Sequence, residues 1–184
     1  PAVAPERRSW IDCDMLFHTA VSHPRMRVTL LRVPAVVASG GYVYLHPGLE
    51  GAAGPRLRPA GFDPLCPVIA DKDLALAVRA ALHADAAGVC NVAGREAIPL
   101  SVLGRWTGRP CLPVPGPLLG AIGAAAARLG DERWHARLCG PHLRFGMSLD
   151  TQRASEVLGF APRYRVGVAR AGDGAMRLEA IAAT

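Results

Sequence analysis

Apolar positions near the start of the chain recur every three or four residues. Over residues 6–22 (ERRSWIDCDMLFHTAVS), Trp10, Cys13, Leu16, Phe17, Ala20 and Val21 share one side of a helix. His23-Pro24 ends it. The run RVTLLRVPAVV (27–37) has β-branched residues and little alternation, which predicts a parallel strand covered on both faces. Residues 38–68 are rich in Gly and Pro and carry neither period strongly, so loops are expected there, with one short strand around Tyr42.

Helical spacing returns in DLALAVRAALHA (73–84), where Asp71 or Asp73 stands in position to cap. GVCNVAG (88–94) predicts a buried strand ending in a turn. It is followed by a short helix over 99–108, a strand over 111–115 and a helix of small apolar residues over 117–130. Asp150 opens a last helix, DTQRASEVLGF, and APRYRVGV continues extended. A strand followed by a helix and a second apolar strand is an α/β unit, and the runs at 28–37 and 88–93 are expected to lie side by side and parallel.

Composition changes this picture little. The 184 residues are 51% hydrophobic and 20% charged, as in a globular protein. The net charge of +6 comes from scattered arginines, Lys72 being the one lysine. No stripe of cations or aromatic platform appears, so nucleic acid is not an expected partner. Five cysteines without a C-x-x-C pair, and no apolar leader, point to a reducing cytoplasm. Six histidines show no H-x-x-x-H spacing, so no metal site is expected, and the serines lack a G-x-S-x-G turn.

Taken in order, VTLLRVPAVV, ADKDLALAVRAAL, GVCNVAGREAIPLSVLGRWTGRPCLPVP and SLDTQRASEVLGFAPRY resemble the second half of extended short-chain dehydrogenases/reductases, the NAD-dependent epimerase/dehydratase family. The likeness covers residues 6–166. It implies the edge of a doubly wound Rossmann-type parallel sheet plus a small α+β substrate-binding domain. Residues 1–37 would supply the last catalytic-side helix and a sixth-type strand. Residues 38–184 would form the substrate-binding region, with 88–94 returning to the sheet as an edge strand.

The resemblance also implies NAD or NADP as cofactor, held by a half that these residues do not contain. That half carries a glycine-rich turn at which the pyrophosphate meets a helix N-terminus, and Gly40-Gly41 lacks both the spacing and the helix. The family's Y-x-x-x-K precedes the strand that ends in Arg32. Counting back by the usual separation reaches Pro5, with Ser9 in place of lysine, and neighbouring registers offer Val3, Ala4, Glu6 or Arg7. No catalytic residue is therefore assigned. The tyrosine transfers the proton and the lysine lowers its pKa, so a chain without both cannot run the hydride chemistry alone.

Several residues carry binding expectations, each beside a plainer one. Arg144, in HLRFGMSLD, matches a family arginine that reaches a nucleotide-sugar diphosphate, for which a guanidinium fork is suited; otherwise it pairs with Asp150 at the surface. Asn91 either touches substrate or closes a turn. Pro34 and Ala35 begin the segment that the family runs beside nicotinamide and sugar. Tyr42 stacks on a ligand or covers a sheet edge. Asp73 is expected as a helix cap and His18 as a partner of Asp14.

The implied partners are a complementing Rossmann half or another subunit, and a nucleotide-sugar. Two alternatives stand beside this reading: a non-catalytic interaction subunit of the same fold, and a membrane-associated module for a lipid or steroid-like substrate, touching the bilayer through 117–129.

Overall fold

Pro34 lacks a backbone N–H, so it interrupts the apolar run at 27–37. The computed structural model describes residues 5–23, 25–38, 41–44, 56–85, 87–106, 110–129, 146–170 and 176–183. In it the run becomes two strands, β1 (Thr29–Arg32) and β2 (Ala35–Ala38), which join different sheets. The single strand expected over 27–37 is corrected on this point. β1 pairs in parallel with β6 (Gly88–Asn91), Leu30 facing Val89 and Arg32 facing Asn91, as the two apolar runs predict. The crossover between them contains α2 (Asp71–His83), as a parallel pair requires.

β2 sits inside a four-stranded sheet of order β3-β2-β5-β7. β3 (Gly41–Tyr44) is the short strand expected around Tyr42. β5 (Leu65–Ala70) and β7 (Ala97–Pro99) were not foreseen, nor was β4 (Arg56–Pro59), which pairs in parallel with β8 (Cys111–Val114). Proline hid β5. Its residues 65–67 pair antiparallel with β7 and its residues 68–70 pair in parallel with β2, so Pro67 falls where the strand changes partners. A missing donor is tolerated there better than inside a continuous ladder.

Alternation along β2 and β5 splits the interior into two cores. Val36 and Ile69 pack with Ala77 of α2, with Cys90 and Val92, and with Leu158 and Phe160 at the end of α5 (Gln152–Leu158). Val37 and Val68 pack on the opposite face with Ile98, with Leu100 and Leu103 of α3 (Leu100–Trp106), and with Leu178. Leu178 belongs to β10 (Met176–Ala182), antiparallel to β9 (Tyr164–Arg170). β5 is thus covered on both faces, which is why VIA reads as an unbroken apolar run.

The remaining helices are less well covered. α1 (Pro5–Val21) rests against β1 and β6, yet none of its described side chains is buried, and Ile11, Met15, Leu16 and Phe17 are exposed by half or more. α4 (Gly116–Arg128) lies along β4 and buries Leu119 and Gly123. α5 stops at Gly159, whose φ of 61° suits glycine, while Phe160 N–H returns to the Ala154 carbonyl at 3.1 Å. The chain is a mixed α/β protein with both parallel and antiparallel pairing.

Candidate functional site

Because β1 and β6 run parallel in register, their carboxyl ends, Arg32 and Asn91, emerge together. The ladder continues one step further, Val92 N–H donating to the Arg32 carbonyl at 3.0 Å. Open α/β sheets hold ligands beyond such ends. The chain leaves this edge through Val33, Pro34 and Ala35 on one side and Val92 to Gly94 on the other. Pro34 is half-buried, whereas Ala35 is 4% exposed and faces the core formed with Val37 and Val68.

Asn91 has a defined job here. Its side-chain Nδ2 donates to the Asp150 carbonyl at 3.0 Å, tying the segment ahead of α5 to the end of β6. Asp150 in turn accepts the Gln152 N–H at 2.9 Å just ahead of α5, whose cap position is Thr151 and not Asp150. Arg153, one turn into that helix, donates to the Ala87 carbonyl at 3.3 Å. Its guanidinium lies where a Cβ on Gly88 would fall, and Gly88 has φ +131°. Two hydrogen bonds, one at Asp150 ahead of α5 and one from Arg153 within it, therefore fasten to the two ends of β6.

The Asp73 expectation needs correction. Ala70 occupies the cap position of α2 and no side chain caps it. Asp73 is fully buried, and its two oxygens accept the backbone N–H groups of Arg163 (2.8 Å) and Tyr164 (3.0 Å). It anchors the start of β9 to the first turn of α2, where the helix dipole also favours an anion. Lys72 adds a contact at the same place, its ammonium 5.2 Å from the centre of the Tyr164 ring.

Asp14 likewise takes a different principal partner from the one expected. Arg32 grips it with Nε at 3.0 Å and a second nitrogen at 2.6 Å. That hydrogen-bonded guanidinium holds the Asp14 carboxyl below its ordinary range, with His18 contributing a smaller favourable charge. The pair links α1 to the end of β1.

A further group lies around β4. Asp63 receives the Ser101 N–H at 3.0 Å and the Ser101 hydroxyl, fixing the start of α3. Arg58 donates to the carbonyls of Pro59 (3.3 Å) and Phe62 (3.0 Å). Burial pushes the Cys66 thiol up to about 12 and raises Cys111, although Arg56 opposes both shifts. A thiol held neutral is a poor nucleophile.

Of the residues singled out by sequence, Asn91 ends β6 and Pro34 follows β1 by two residues, whereas Ala35 is buried in β2 against the core of Val37 and Val68. Tyr42 lies on β3, opposite Val37 of β2. Arg144 lies outside the described residues. Arg153, Asp63 and the anchoring role of Asp73 were missed, and their partners are too distant along the chain for any local pattern to reveal them.

No family model matches the sequence, and no curated protein matches it either. Two solved structures share the fold. The crystal structure of gox2253 superposes with a TM-score of 0.54 at 16% identity, over 81% of this chain and 48% of that one. A functionally unknown conserved protein from Silicibacter pomeroyi DSS gives 0.51 at 16% identity, over 89% and 52%. The chain spans about half the length of each. At this identity the likeness is one of fold.

Proposed function

We propose that these residues form the substrate-binding portion of an NAD(P)-dependent nucleotide-sugar epimerase, dehydratase or reductase-like protein. The cofactor and the acid/base pair come from a Rossmann half outside them. The observation that supports this most directly is the paired carboxyl edge at Arg32 and Asn91, with the segment ahead of α5 bound to it through Asn91 and Asp150. A ligand resting on that edge would meet Pro34, the backbone of residues 92–94 and the run leading into Asp150, the kind of loop cluster that serves parallel sheets.

Among the described residues β1 pairs with β6 alone, and α1, which rests against both strands, leaves Ile11, Met15, Leu16 and Phe17 exposed. The complementing half would add its strand beside β1 and cover α1. Fold alone does not assign the chemistry, so the reading is tested on the ligand. Saturation-transfer NMR with UDP-, dTDP- and GDP-sugars should show transfer to the nucleotide and sugar protons, with none to NAD(H). Arg144→Ala should weaken the signal roughly tenfold, the loss expected of one charge-assisted phosphate contact. Absence of transfer from every nucleotide-sugar, or binding of NAD(H) by these residues, would overturn the proposal.

A further inference from the structure

The run from Gly146 to Asp150, just ahead of α5, stretches from the four-stranded sheet to the end of β6. At its first end the Met147 N–H donates to the carbonyl of Leu65, on β5, at 3.0 Å. At its second end Asn91 donates to the Asp150 carbonyl. Gly146 permits the approach to β5: its φ is +66°, and a Cβ there would stand 3.3 Å from the Leu65 nitrogen. The turn at 92–94 bridges the same two sheets, since Val92 N–H reaches the Arg32 carbonyl and Gly94 N–H the Val68 carbonyl at 2.8 Å.

The two flanks of this strap are held very differently. Within 146–150 no side chain is buried, and Met147, Ser148 and Asp150 are exposed. Leu65, the partner of Met147, is itself 45% exposed. α5 behind it is rooted by buried Ala154, Leu158 and Phe160. A segment fastened by exposed hydrogen bonds, without buried side chains, opens locally at low cost while the packed element beside it stays closed.

We infer that residues 146–150 are a latch that swings on α5 between a closed and an open position, with Asn91 as its catch. Closed, it bridges β5 and β6 beside the 92–94 turn; open, both hydrogen bonds break together. On the proposed reading of this edge as the ligand site, closure retains the ligand and opening admits it. Asn91 is then a positioning residue, acting through Asp150.

Hydrogen exchange at single amides of the 184-residue protein, corrected for intrinsic rates and run without ligand, tests the latch. Asn91→Ala should quicken the Met147 amide about fivefold, the worth of one ordinary hydrogen bond. Val92, bonded to Arg32, and Phe160, bonded to Ala154, should keep their rates. Asn91→Asp, which keeps the size and loses the donor, should behave alike. An unchanged Met147 amide in both variants would overturn the proposal, and so would equal quickening at Val92, which would make Asn91 a brace for the strand ends. A nucleotide-sugar already shown to bind by saturation transfer should slow Met147 in the unaltered protein, and no slowing at saturation would also overturn it. Should none bind, the ligand reading falls by itself and the ligand-free rates still decide the latch.

Discussion

At the scale of single residues, the buried carboxylate of Asp73 is the anchor with the clearest energetic consequence. It accepts two backbone N–H groups at the start of β9. Asp73→Ala strands both, at about 1–3 kcal/mol for each donor kept from water. Arg163 is itself exposed, so water recovers part of that loss. The expected cost is about 2 kcal/mol, read as a lower urea midpoint with helix content retained. An unchanged midpoint would mean that β9 does not depend on this contact.

Asp73 also shows where local reading stops. An acidic residue at a helix start is a cap on local grounds, yet the acceptor here turns inward to a segment ninety residues away. Asn91 and Asp150 are equally remote in sequence, and so are Arg153 and Ala87. The residue types at the site were legible because Asn at a strand end and Asp before a helix have few uses. Their partners were set by folding together of distant segments, which no spacing encodes.

At the scale of elements, periodicity carried most of the information. α2, α4 and α5 fall where apolar spacing places them, and the parallel pairing of β1 with β6 follows from two apolar runs joined through a helix. The failures have physical causes. Pro34 divided one apolar run between two sheets, and Pro67 concealed a strand that changes partners at that residue. β10 was invisible because its core-facing positions are Leu178 and the small Ala180, too little apolar bulk to show an alternation.

α1 is the element whose attachment should respond to pH. Its tie to β1 is the Asp14–Arg32 pair, and the Asp14 carboxyl is lowered in the folded protein. A lowered carboxylate contributes stability above its unfolded pKa and loses it as pH falls through the folded one. The contact should therefore be whole at neutral pH and fail below about pH 4. Hydrogen exchange, corrected for intrinsic rates, should quicken in α1 on acidification before it does in α2. Equal protection of the two helices across that range would show that α1 is held by something other than this pair.

At the scale of the whole molecule, the parts are unevenly finished. β5 is covered on both faces, while among the described residues β1 pairs with β6 alone and α1 buries none of its described side chains. An apolar strand edge left open associates with whatever can complete it. The chain covers about half the length of each of the two solved structures that share its fold. Under the proposed function, a complementing α/β half would join beside β1.

Light scattering on the purified 184-residue protein, in line with size exclusion, tests that claim most directly. If β1 needs a partner strand, the mass should lie well above the 19.3 kDa of one chain, in assemblies that grow with concentration. A single sharp species at 19.3 kDa, unchanged on concentration, would contradict it and identify a self-sufficient domain.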